Sequence, residues 1–190
     1  MKAVMISIQP KWVEKIVNGE KTIEVRKSAP KEVPFKCYIY ETQGQYVKFT
    51  HGAHTKYGYG RGKVIGEFIC DKVEMVNAKC SDYGIDLFYH DCLTNGCLTE
   101  REIEKYFNVP EDRDLRAMKG NGYVWNISDL KIYDKPKELS EFYTKKKCNS
   151  CKKSGYESTA CMYDEDCKMP MSITRAPLSW QYIEDLGEEE

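Results

Sequence analysis

Residues 19–27 read GEKTIEVRK and place two lysines, two glutamates and an arginine within nine positions. A lysine held beside a carboxylate acts as a fixed cation or, once desolvated, as a base or nucleophile. Lys21 and Glu24 are therefore the candidate catalytic pair. Arg26 offers a planar fork suited to phosphate, carboxylate or a base edge, and Lys27 adds a point charge at the rim. Lys21 and Glu24 stand three apart, which on a flat strand puts them on opposite faces. They meet only if the strand begins after Lys21 or the turn at Gly19 takes part. The competing reading is an edge strand whose charges merely prevent sheet-to-sheet pairing.

The flanking pattern says what must position these charges. Residues 3–8, AVMISI, have the apolar and β-rich character of a buried first strand. Pro10 favours a helix start, Trp12, Val13, Ile16 and Val17 recur at helical spacing, and Gly19 supplies a stop, so a short helix is expected over about 11–18. After Gly19, Ile23 and Val25 alternate with Thr22, Glu24 and Arg26 at the period of a strand. If Ile23 and Val25 face the core, Thr22, Glu24 and Arg26 share the other face.

Farther along, FKCYIYET at 35–42 is a strand, and the polar, Gly-rich stretch 43–62 is a long loop or hairpin. KVIGEFICDKVEMV resumes a β run in which Gly66 marks a bulge or a close backbone approach, with Glu67 a possible complement to Lys21 or Arg26. Residues 81–108 turn helical, and Thr99 with Glu102 has capping-box spacing. GYVWNI and LKIYD read as paired strands, a short helix is expected near 137–143, and LSWQYIED returns as a closing strand. Strands with short helices and no regular βαβ alternation indicate α+β with a mainly antiparallel sheet or small barrel. The first strand is not followed by a Gly-rich phosphate turn, which disfavours a dinucleotide-binding sheet.

The stretch GEKTIEVR resembles the G-x-K-x-x-E-x-R signature of the ASCH domain family, within the PUA-like superfamily, and stands where that family has it, after a first strand and a short helix. GKVIGEF, YVWNISDLKIYDKPKELSEF and RAPLSWQYIE extend the resemblance, toward bacterial and prophage-type members, over most of the chain. It implies one domain over 1–190: a small PUA-like, mainly antiparallel β-barrel with flanking helices and a cleft between barrel and helix, lined by the signature charges. Proposed ligands of the family are RNA and modified nucleosides. One branch hydrolyses the amide of N4-acetylcytidine with a Lys, a Thr and a Glu. That Lys corresponds to Lys21, whereas the Thr falls on Glu24.

Two functions remain open. The first is an RNA- or nucleoside-binding domain using Lys21, Glu24, Arg26, Lys27, Trp12 and Glu67, with Trp12, Tyr38, Tyr40 or Trp125 offering a stacking face. The second is a small hydrolase, an N4-acylcytidine amidohydrolase or a ribonuclease, using Lys21 and Glu24.

Nine cysteines are an odd set. Cys148, Cys151, Cys161 and Cys167 fall as C-x2-C-x9-C-x5-C inside 145–171, a charged segment poor in aliphatic residues that reads as an insertion. Four thiolates there would close a tetrahedral, structural zinc site; no organic cofactor is implied. The H-x2-H pair His51 and His54 lacks two further ligands and reads as polar surface.

With 41% apolar residues the chain has material for a core, and a net charge of −1 gives no global attraction to polyanions, so any such site must be local. The absence of an 18-residue apolar run and of a signal-peptide pattern at the start leads to the expectation of a cytoplasmic protein with no membrane partner.

Overall fold

The computed structural model describes residues 1–51, 54–77, 82–110, 117–144 and 171–187. The first strand, β1 (Lys2–Ile8), is buried along nearly its whole length and leads into helix α1 (Pro10–Val17), with Pro10 in its first turn. Gly19, at φ 74°, ends the helix as expected: the amides of Glu20 and Lys21 both donate to the Lys15 carbonyl. The chain is thereby turned straight into β2 (Ile23–Arg26). Strand β3 (Phe35–Glu41) then pairs with β1 in parallel, with Lys2 opposite Phe35 and Ile8 opposite Glu41. Parallel neighbours need a long crossover. Here the crossover is α1 plus β2, so the charged motif lies on the segment that arches from the end of β1 back to the start of β3.

The stretch 43–62 is a hairpin, β4 (Gly44–His51) with β5 (His54–Gly60), in which His51 and His54 are backbone partners. The long β run divides at Asp71 and Lys72 into β6 (Lys63–Cys70) and β7 (Val73–Asn77), which belong to different sheets. Gly66 sits at a register shift, and a Cβ there would come within 2.4 Å of the Lys131 carbonyl oxygen, which accounts for glycine in mid-strand. Helices α2 (Asp82–Leu93) and α3 (Glu100–Phe107) follow, and the Thr99–Glu102 capping box forms in both directions.

GYVWNI and LKIYD are strands but do not pair with each other. Strand β8 (Asn121–Asn126) lies between β2 and β7, whereas β9 (Ser128–Lys137) pairs with β6. The chain crosses between sheets at Ile127. In place of the short helix near 137–143 there is one 3-10 turn, Leu139–Glu141. Short strands β10 (Tyr143–Thr144) and β11 (Met171–Ser172) and the closing strand β12 (Trp180–Ile183) complete the set.

The α+β, mainly antiparallel expectation is met, since β1 with β3 is the single parallel pair among the described residues. The closed barrel is not. Seven strands form an open sheet in the order β11-β10-β12-β1-β3-β6-β9, and β2-β8-β7 form a separate one. The outer edge of β2 starts against the α2–α3 loop and not against another strand: Thr22 and Ile23 both donate to the Asn95 carbonyl.

Three apolar clusters hold these layers together. Val13 and Ile16 of α1 and Trp125 of β8 pack on one face of the large sheet, against Val4, Ile6 and Phe35. Tyr38, Tyr40 and Phe142 pack on the other. Ile23 and Val25 of β2 bury with Phe88 of α2 and Ile103 and Phe107 of α3. Each fully buried aliphatic or aromatic side chain contributes about 1.5–3 kcal/mol. Among the described residues, no helix is long and apolar enough to cross a membrane. Cys148, Cys151, Cys161 and Cys167 lie outside the described residues.

Candidate functional site

Alternation along β2 decides where the motif points. Ile23 and Val25 face the α2/α3 cluster, so Glu24 and Arg26 face the large sheet, and Glu24 stands directly opposite Trp125 in the pairing with β8. That face is covered. β2 is an edge strand, as the competing reading had it, yet its charges are not solvated: Lys21 is 3% and Glu24 6% exposed.

These buried charges satisfy one another. Lys21 Nζ lies 3.4 Å from Glu24 Oε2 and donates to the Gly96 carbonyl at 2.8 Å. Glu24 Oε1 lies 2.9 Å from Arg26 Nε, although the N–H is not directed well enough at that oxygen for a hydrogen bond. Arg26 also donates from Nη2 to the Ser7 carbonyl at 2.7 Å and from Nη1 to Ser179 Oγ at 3.4 Å. The guanidinium therefore ties β2 to the end of β1 and to the segment before β12. Gly96 is required in this arrangement because a Cβ would meet the Cys92 carbonyl oxygen at 2.6 Å.

This row of charges lines a cleft of about 690 Å³. Its floor includes Ser7 and Ile8 at the carboxyl end of β1 and Thr42 just past the end of β3. Trp12 of α1 and Tyr106 of α3 are its aromatic lining, and Leu178, fully exposed, stands at its rim. Two cations lie on the Trp12 ring: Lys11 Nζ is 4.1 Å and Lys21 Nζ 5.6 Å from its centroid. Lys27 Nζ is 5.0 Å from the centroid of Tyr106. Five cations line the cleft, Lys11, Lys21, Arg26, Lys27 and Lys105, against the carboxylates Glu24 and Glu102. In a chain of net charge −1 this is a strong local excess of positive charge.

Glu102 accepts from Lys11 Nζ and from the Thr99 backbone and hydroxyl. Burial pushes its carboxyl up, but Lys11 and the Thr99 donors outweigh burial and hold it below the ordinary carboxylate range. Burial likewise pushes the Tyr106 hydroxyl up, with Arg26 opposing.

The structure thus brings together Lys21, Glu24, Arg26, Lys27 and Trp12, and leaves Glu67 elsewhere. Glu67 lies on the far face of the large sheet, 3.9 Å from Lys36 Nζ and accepting from the Tyr133 hydroxyl, at a second cavity that Tyr38 also lines. Tyr40 and Trp125 are core residues, which leaves Trp12 as the sequence-selected aromatic in the cleft. Sequence reasoning missed Lys11, Glu102, Lys105 and Tyr106. The capping box located α3, and Glu102, Lys105 and Tyr106 share an i, i+3, i+4 face, but nothing local indicates that this face closes over β2. Among the described residues there is no group of three or more His, Cys, Asp or Glu placed to hold a metal.

With its cleft beside a parallel pair and the crossover between them, the chain has a fold similar to that of solved ASCH structures. The crystal structure of ASCH from Zymomonas mobilis is similar over 96% of this chain and 88% of that one, with a TM-score of 0.54 and 16% identity. A single-residue mutant of the Zymomonas mobilis protein is similar over 97% and 91%, with a TM-score of 0.54 and 14% identity. At such identities the likeness is one of fold. No protein-family model matches the sequence, and no curated protein does.

Proposed function

We propose that this chain is a binding domain for RNA or nucleoside-like ligands, with the cleft between α1, β2 and α3 as its recognition site. The observation that carries this reading is the combination of aromatic faces and surplus cations around a carboxylate already neutralised from both sides. Unpaired bases are held by stacking on aromatic rings and by polar groups at their edges, while cations take the backbone. Trp12 and Tyr106 supply the rings, Arg26 and the lysines the charge. ASCH domains of similar fold are in keeping with it.

The hydrolytic alternative asks Lys21 to act as a nucleophile or base. Its amine is engaged by the Gly96 carbonyl and by Glu24, and Glu24 is engaged by Arg26. A cation so held is suited to fixing a neighbouring carboxylate, which favours recognition over catalysis. Binding of a mixed RNA and nucleoside panel, followed by fluorescence anisotropy and calorimetry, tests the proposal. Trp12→Ala and Tyr106→Ala should each weaken binding by about 1–3 kcal/mol, the range for a lost base–aromatic stack. Equal binding by wild type and both variants would overturn it.

The zinc reading of Cys148, Cys151, Cys161 and Cys167 stands with the proposal on the strength of their spacing, as a structural element of the segment 145–171.

A further inference from the structure

The cleft has two electrostatically different ends. At the inner end every charge has an opposite charge on it: Glu24 takes Lys21 and Arg26, and Glu102 takes Lys11. At the outer end stand Lys27, on β2's exit, and Lys105, on α3, both exposed and both lining the cleft. Among the described residues neither is in an ion pair. Lys27 instead lies with its Nζ 5.0 Å from the centroid of Tyr106, the residue next to Lys105 on α3. An exposed lysine costs side-chain entropy to hold, and a ring face compensates only weakly. Two such cations lining one cleft, with Arg26 in the same lining, complement a compact anion.

We infer that the outer end of the cleft is a phosphate subsite formed by Lys27 and Lys105. The ligand class is then a phosphate-bearing nucleotide, and a neutral nucleoside lacks the group this end takes. This rests on the cleft being the recognition site. The base lies toward Trp12, where the charges are internally matched and Lys11 and Lys21 stand at the ring. The phosphate is either the monoester of a free nucleotide or a diester within an RNA strand, since both present the same oxygens to two lysines.

The test uses calorimetric titration of the full chain with the four ribonucleosides, their 5′-monophosphates, and a mixed-sequence RNA of eight nucleotides, for wild type and Lys27→Gln/Lys105→Gln. Both lysines are exposed, so the variant should fold, and its thermal transition is recorded alongside. The expected result is a preference of about tenfold or more for phosphate-bearing ligands over nucleosides, which the double variant loses. The same loss confined to the RNA arm, with silent monophosphates, also supports the subsite and identifies a diester as its source. Nucleosides binding as tightly as their monophosphates would overturn this inference and leave the recognition site standing. A phosphate preference that survives in the double variant would overturn it too. No binding by any member of the panel would overturn the recognition site itself and this inference with it.

Discussion

Lys21 and Glu24 meet at 3.4 Å across three positions of sequence because β2 begins only at Ile23. The Lys15 carbonyl holds the Lys21 amide at the end of α1, so Lys21 approaches from the helix side while Glu24 already follows the strand's alternation. That handover from helix end to strand converts a pattern of alternating charge into a buried row of cation, anion and cation.

Because Glu24 is the anion between two buried cations, its removal should be worse than removal of either neighbour. Glu24→Ala should destabilise the fold by about 3–5 kcal/mol, and Lys21→Met by clearly less, since Glu24 then keeps Arg26. Urea denaturation of the two variants checks the order. Equal losses would mean the row is not organised around Glu24.

Gly19 carries the positive φ that lets α1 hand over to Lys21. Gly19→Ala has open space for its Cβ, so its cost should be conformational alone, about 1–2 kcal/mol. The midpoint of thermal unfolding should fall. Gly96→Ala meets the Cys92 carbonyl and should in addition displace the loop that accepts from Lys21, weakening ligand binding as well as stability.

Stability should decline at both ends of the pH scale, for different groups. Glu102 is held low by Lys11 and the Thr99 donors against burial. Asp185 is held low by the Tyr38 hydroxyl and Lys36 against burial. Carboxyls depressed in the folded state contribute stability above their unfolded pKa and lose it as pH falls through the folded one, so an acid limb is expected below the ordinary carboxylate range. Asp185→Asn should flatten it. Burial pushes the Cys92 thiol up to about 12 from 9.0 and raises Tyr38 further than its ordinary value. Such groups stabilise fully below the unfolded pKa, and that contribution is lost progressively as pH rises from about 9.0 toward 12. Melting temperature as a function of pH, in wild type and Cys92→Ala, reads the alkaline limb.

If Cys148, Cys151, Cys161 and Cys167 hold structural zinc, metal analysis of purified protein should find about one zinc per chain, removable by a chelator with loss of stability. Cys148→Ser should lower that content. Metal-free wild type with unchanged stability would dispose of the zinc proposal and leave the cleft untouched.

The first forty residues were largely legible. Pro10 and Gly19 bracket α1, and Ile23 with Val25 orient β2, because these signals are local. What the sequence did not disclose is long-range. The run from Lys63 to Val76 is uniformly β in character, yet it is divided between two sheets at Asp71 and Lys72, and GYVWNI and LKIYD part company at Ile127. Propensity reports that a residue suits a strand and not which partner it takes. The same limit governed the site. Glu24 and Arg26 belong to the motif, but Lys105 and Tyr106 reach the cleft only because Ile103 and Phe107 pack on Ile23 and Val25, far away in sequence.

The most direct test of the cleft as a recognition site is photo-crosslinking of a 4-thiouridine-substituted single-stranded RNA to the full chain, with adducts mapped by mass spectrometry. Adducts are expected on Trp12 or Tyr106, suppressed by unlabelled RNA and reduced in Lys27→Gln/Lys105→Gln. Competable adducts confined to peptides remote from α1, β2 and α3 would contradict it.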